Sequence, residues 1–273
     1  MLIERDAPIR RLRALAAQAA GGAGSCVVIE GGAGIGKTAL LRHLRDETTG
    51  LGLRVLSATG ADLERDHAFG IARQLLEPLW RGLGTEERAT LLDGPAALAR
   101  PLVELTPAPV PLSTGVGASQ RGGIAGAVEA QSVLHGTSWL IGTLAEQSPL
   151  MLVVDDAHWA DEPSLDLLAY VARRLADLPV LLVIARRPVA LGDAVVDPPG
   201  EHLRLQPLSA SGIGAVAEAV LGPGQGAGLA EACLAATGGN PLYVRALLDE
   251  LEGRPDRPTG PRTENATRPD EGG

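Results

Sequence analysis

The 273-residue chain carries a formal net charge of −9, with 45% hydrophobic but only 2% aromatic residues. That length suffices for one large α/β domain with a small helical annex, and its core must be aliphatic. The acidic balance argues against a broad nucleic-acid footprint, and no apolar run approaches the ~20 residues of a membrane span.

Residues 7–20 read as an amphipathic helix. Arg10, Arg11 and Arg13 precede an Ala-rich stretch, but Gln18 interrupts it and Glu4 and Asp6 lie upstream, which suits a helix better than a secretory leader. Cys26-Val27-Val28-Ile29 is a short apolar run of the kind a buried parallel strand needs. It leads into Gly31-Gly32-Ala33-Gly34-Ile35-Gly36-Lys37-Thr38, which fits the P-loop pattern G-x-x-x-x-G-K-[ST]. In such a loop, backbone N–H groups and a helix N-terminus wrap phosphates. The cofactor-binding set therefore runs from Gly31 through Lys37 and Thr38 to Ala39. Lys37 is the only lysine in the chain, and every other side-chain cation except histidine is arginine. This position wants a compact ammonium on a flexible stem, not a planar guanidinium. The run from Thr38 to Leu44 then reads as a helix with an apolar stripe.

Residues 54–58 form a second predicted strand, and Phe69–Trp80 and Glu86–Leu92 are predicted helices. Residues 93–125 shift to Pro and Gly with few charges and read as a flexible surface insert. A long helix is predicted over Val128–Glu146. A third strand, Leu150–Val154, ends in Asp155-Asp156. The helix over Ser164–Leu175 has Asp161 as its expected N-cap. A fourth strand, Val180–Ala185, ends in Arg186-Arg187, and a fifth covers His202–Leu205. Helices follow near 210–221, 228–236 and 242–252, and from Gly253 the chain turns polar and is expected to be disordered. This divides the chain into an α/β core over 1–206, a small helical subdomain over 207–252 and a tail over 253–273. No internal repeat is visible. Cys26 and Cys233 read as isolated core thiols, in keeping with a reducing cytoplasm.

Strands alternating with helices predict a five-stranded, mostly parallel sheet flanked by helices. Ligands bind such sheets at the carboxyl ends of the strands. The P-loop, Asp155-Asp156 and Arg186-Arg187 all fall there. Thr38 offers a hydroxyl to Mg²⁺, and Asp155, after five apolar residues, stands where a Walker B acid supports that ion. Asp156 is suited to orienting the attacking water. One of Arg186 and Arg187 is a candidate for sensing the γ-phosphate, the other reading being a solvent-facing pair. His158 either couples the site to a neighbouring element or satisfies a turn. Pro241, after Gly238-Gly239-Asn240, is either a helix start or a proline packed on an adenine face.

The segments Leu2-Ile3-Glu4-Arg5-Asp6, the P-loop, Ala61–Asp66 with Phe69-Gly70 and Arg73-Gln74-Leu75, Val153–Asp161 with Ser164-Leu165, and Gly239-Asn240-Pro241-Leu242 together resemble one family. It is the ATPase domain of the large ATP-binding, MalT-like LuxR-type regulators, within the STAND branch of AAA+ P-loop ATPases. The resemblance spans residues 1–252, and its most specific part is Asp155-Asp156-Ala157-His158-Trp159-Ala160-Asp161. It implies a P-loop NTPase fold and a nucleotide switch with ADP-bound resting and ATP-bound self-associating states. By that resemblance Lys37 and Thr38 hold phosphate and Mg²⁺, Asp155 is the Walker B acid and Asp156 orients water. It also makes Arg187 the sensor-1 arginine, Pro241 the residue touching adenine, and Arg5 part of the segment lining the base.

The expected function is thus a slowly hydrolysing ATP-dependent switch module of a LuxR-family regulator, in the cytoplasm, associating with itself or a related regulator. No arginine finger is evident in cis, and such a finger accelerates hydrolysis by ~10³–10⁵ elsewhere. No helix-turn-helix pattern appears in these residues, so direct DNA binding is not expected of this chain, and neither is membrane binding. The alternatives are an AAA+ ATPase of origin-recognition or clamp-loading type acting on DNA, a small-molecule P-loop kinase, and a non-catalytic ATP-dependent oligomerisation partner. The net charge of −9 disfavours the first. The kinase would need an acceptor-binding lid, for which residues 93–125 carry too few polar groups.

Overall fold

A computed structural model describes residues 2–65, 67–104, 124–188 and 197–253. By backbone contacts the chain forms two compact units, Met1–Pro207 and Leu208–Gly273.

The first unit is built on β1 (Ser25–Glu30), β2 (Arg54–Thr59), β3 (Leu150–Asp155), β4 (Val180–Arg186) and β5 (Glu201–Arg204). They form one sheet in the order β2-β3-β4-β1-β5, with every neighbouring pair parallel. Every residue of β3 and β4 is buried, which explains why their sequences are continuous apolar runs without alternation. The two-residue period of a strand still sorts their side chains by face. Leu150, Leu152 and Val154, with Val180, Leu182 and Ile184, enter a core that contains buried residues of α3 (Gly70–Gly82), α6 (Ile124–Gln147) and α7 (Glu162–Ala172). Met151 and Val153, with Leu181, Val183 and Ala185, enter the opposite core with α1 (Asp6–Ala20) and α2 (Lys37–Thr48). Helices thus cover both faces of the sheet.

The turn into β1 is tight. A Cβ on Gly24 would lie 2.3 Å from the carbonyl oxygens of both Leu175 and Leu178 and 2.7 Å from that of Val180. Only a residue without a side chain lets the chain pass the α7–β4 link there.

The stretch expected to be an insert begins as ordered structure. After α4 (Thr85–Leu91), a 3-10 helix over Gly94–Ala99 and α5 (Arg100–Val103) bury Ala96, Ala99, Leu102 and Val103. They lie against α6 at Gly136, where a Cβ would meet Ala99 N at 2.5 Å. The prolines that suggested a loop, Pro95 and Pro101, stand in first helical turns, where no backbone bond is lost. The rest of that insert, 105–123, and the tail from 254 lie outside the described residues.

The second unit holds α8 (Ala210–Leu221), α9 (Gly226–Thr237) and α10 (Pro241–Glu252). Ser209 caps α8 by accepting from Gly212 N at 3.2 Å, and Asn240 caps α10 by accepting from Leu242 N at 3.0 Å. A Cβ on Gly226 would lie 2.5 Å from Gly214 O, so α8 and α9 cross at a glycine contact.

Candidate nucleotide site

The carboxyl ends of β1, β3 and β4 meet at one edge of the sheet, and the residues singled out in the first unit gather there. After β1 the chain loops from Gly31 to Gly36 and enters α2 at Lys37. Gly34 and Gly36 hold φ of 74° and 100°, a backbone region that favours glycine. Lys37 is only 6% exposed, and its Nζ donates to Gly31 O at 2.9 Å and Gly32 O at 3.1 Å. Burial lowers its pKa, the nearby Asp156 and Asp155 work against that, and Arg187 adds to it.

Thr38 Oγ1 donates to Asp155 Oδ2 at 2.6 Å, and Asp156 N donates to Asp155 Oδ1 at 2.9 Å. Each oxygen of the Asp155 carboxylate therefore has a partner that fixes it. Asp156 sits in the left-handed region at φ 46° and opens a 3-10 turn over Ala157–Trp159. A Cβ on Gly60, after β2, would lie 2.4 Å from Asp156 O, so that glycine makes room for the bend.

His158 is packed against the Trp159 ring at 5.0 Å, and among the described residues neither of its ring nitrogens has a hydrogen-bond partner. Its Nδ1 lies 3.8 Å from Asp156 Oδ1. Arg65 and Arg187 each approach the Trp159 ring, at 5.1 and 5.8 Å.

The two adjacent arginines have different surroundings. Arg186 is buried, and its Nε and Nη2 donate to Glu30 Oε1 at 3.2 and 2.9 Å while Nη2 also reaches Asp197 at 2.6 Å. Arg204 Nε donates to Glu30 Oε2 at 3.2 Å, and His202 Nδ1 lies 3.6 Å from Oε1. Arg187 is exposed, and its charge is felt at both Lys37 and His158. Reading the sequence missed Glu30 as the hub of this group. An acid closing an apolar strand, as Asp155 closes β3, was the available signal.

Arg5 is buried and both terminal nitrogens of its guanidinium are engaged: Nη2 donates to Ile35 O at 3.1 Å and Gln206 O at 2.9 Å, and Nη1 to Glu4 O at 3.0 Å. It ties the N-terminal segment to the loop between β1 and α2. Pro241 belongs to the second unit and occupies the first position of α10.

The donor set fits a magnesium nucleotide. Thr38 and Asp155 bring two hard oxygens together, which is what Mg²⁺ takes. Lys37 and the N-terminus of α2 bring positive charge to the same edge, which suits phosphate. Among the described residues no helix is long and apolar enough to cross a membrane.

Residues 1–184 match the family described as AAA ATPase domain. A curated relative, an uncharacterized protein of Rhizobium meliloti (strain 1021), is 28% identical over 217 residues, covering 76% of this chain and 20% of its own length. The chain thus spans about a fifth of that relative. Among solved structures, the Walker-type ATPase PABY2304 of Pyrococcus abyssi is similar with a TM-score of 0.51 and 11% identity, over 92% of this chain and 68% of that one. The Drosophila ORC bound to DNA gives a TM-score of 0.49 and 17% identity, over 92% of this chain and 55% of that one.

Proposed function

The chain belongs to the AAA ATPase domain family, and on that footing we propose that it is a slowly hydrolysing ATP switch of STAND type, the nucleotide module of a LuxR-type regulator. The observation that carries the reading is the contact between Thr38 and Asp155 at the mouth of the glycine loop. Lys37 and the loop N–H groups hold the β- and γ-phosphates, with the N-terminus of α2 behind them. Thr38 and Asp155 would hold Mg²⁺, which would supply positive charge to the phosphate oxygens. Asp156 accepts a hydrogen bond from the attacking water and sets its line. Arg187 is the exposed arginine at the end of β4 and would meet charge developing on the γ-phosphoryl group. Its neighbour Arg186 is already committed to Glu30.

The regulator branch and the adenine contact of Pro241 rest on the motif resemblance alone. ATP-dependent self-association, or association with a related regulator, belongs to the same reading. Nucleotide content after purification and calorimetric titration with ATP and ADP test it. The Lys37→Ala chain should lose binding, and light scattering should show a larger species with ATP than with ADP. A wild-type chain with no measurable affinity for either nucleotide would remove the proposal. Retained binding in the Lys37 variant would remove the site assignment.

A further inference from the structure

The opposite edge of the sheet carries a second concavity. α6 ends at Gln147, just before β3 begins at Leu150, and residues 174–178 precede β4 at Val180. Both segments therefore lie where strands start, whereas the phosphate loop lies where β1 ends. Between them is a cavity of about 480 Å³, within the usual range for small-molecule sites. Its α6 wall follows helical spacing through Ser138, Trp139, Gly142 and Glu146, and Asp177 and Leu178 face it.

Four features of this wall are unspent. Trp139 is 51% exposed, with His135 of the same wall edge-on to its ring at 6.3 Å, while its neighbours Leu140 and Ile141 are buried. Gly142 is not demanded by packing, since an added Cβ would only touch Leu178 Cδ2 at an ordinary 3.8 Å. It leaves the floor beside the indole open. Ser138 is only 7% exposed, yet among the described residues no hydrogen bond reaches its hydroxyl. Glu146 and Asp177 have no cationic partner among the described residues. The one arginine on the wall, Arg174, is engaged elsewhere: it stacks 3.6 Å from the Tyr170 ring centre and donates to Tyr170 O at 3.0 Å.

An anion would meet two carboxylates here. A neutral ligand would desolvate them without return. A cation with an apolar body uses the exposed indole and the carboxylates, with the Ser138 hydroxyl beside them. We propose that this groove binds a small organic cation, an amine, quaternary ammonium or guanidinium compound with an apolar body, at a site separate from the nucleotide's.

Calorimetric titration of the full chain with benzyltrimethylammonium tests this, with benzyl alcohol and benzoate as neutral and anionic counterparts. Saturable one-site binding of the cation alone is expected. Trp139→Leu and the double variant Glu146→Gln/Asp177→Asn should each weaken it about tenfold or more. Circular dichroism melting checks that both remain folded, and the exposed carboxylate pair decides the matter if the tryptophan variant does not. Absence of saturable binding, equal binding of benzyl alcohol, or unchanged affinity in the carboxylate variant overturns the proposal. The Lys37→Ala chain should bind the probe as the parent does, so failure of the nucleotide reading leaves this result standing.

Discussion

Thr38 and Asp155 lie 117 residues apart in sequence, and the hydroxyl of one donates to the carboxylate of the other at 2.6 Å. The contact joins the start of α2 to the end of β3, and it depends on β1, which leads into α2, lying in the same parallel sheet as β3. Asp155→Asn replaces a fixed anion by an amide that cannot serve Thr38 and Asp156 N equally. Charge-assisted hydrogen bonds contribute about 1.5–3 kcal/mol each, so ATP affinity in Mg²⁺ should fall about ten- to hundredfold. Affinity in EDTA should change far less. If the parent and the variant respond to EDTA alike, Asp155 does not hold the ion.

Arg186 and Arg187 should separate by experiment. Arg187→Ala removes an exposed cation, so hydrolysis should drop with little change in urea unfolding. Arg186→Ala leaves the Glu30 carboxylate, 6% exposed, without its main partner. Breaking a buried pair in this way costs about 3–5 kcal/mol. Burial pushes Glu30 upward in pKa, but the hydrogen bond and charge of Arg186, with Arg204 and His202, outweigh it and hold it below its ordinary value. Its depressed folded pKa means that the stability it adds is present above the unfolded carboxylate's pKa and is lost as pH falls through the folded one. The Arg186 variant should therefore show a weaker acid-side loss than the parent.

Asp161 should be the costliest single acid to truncate. Its Oδ1 accepts from Ser164 N at 2.8 Å and Phe69 N at 2.7 Å, and its Oδ2 from Gly70 N at 3.0 Å. The cap of α7 is thereby also the fastening of α3. Asp161→Ala should destabilise by about 3 kcal/mol or more, beyond a simple cap. Asp161→Asn keeps an oxygen for two of the three donors and should fall between. Equal losses in the two variants would mean that the two bonds to Oδ1 contribute nothing.

His158 predicts a pH effect near neutrality. Burial lowers its pKa below 6.5, Asp156 counteracts that, and Arg187, Lys37 and Arg65 deepen it. The unfolded chain thus takes the proton first as pH falls, so stability is full above about 6.5 and declines below it. Thermal melts between pH 7.5 and 5.5 should show that decline, and His158→Gln should reduce it. A variant with the parent's full pH dependence would show that the ring does not contribute.

The five-stranded α/β layout was legible because buried parallel strands are written as unbroken apolar runs and the glycine loop has a fixed spacing around Lys37. Local pattern could also pick Asp161 as a cap. It could not reveal that Asp161 holds Phe69 and Gly70, since those partners lie 92 and 91 residues away. The same holds for Arg186 and Arg187. Adjacent residues at a strand end point to opposite sides, and which one is sequestered depends on Glu30, 156 residues distant. Arg5 shows the converse: the N-terminal motif draws attention to it, but its bonds to Ile35 and Gln206 carbonyls make it a strut between distant segments. The helical turns over 94–103 were hidden because proline reads as a breaker until its place in a first turn is known.

The bare Cα of Gly24 has a mechanical consequence. It clamps the foot of β1 against the Leu175 and Leu178 carbonyls, the same link that walls the groove beside Trp139. β1 is a rod of six residues, about 20 Å at the rise of a strand, and its far end is the phosphate loop. That link and the glycine loop therefore stand at the two ends of one strand.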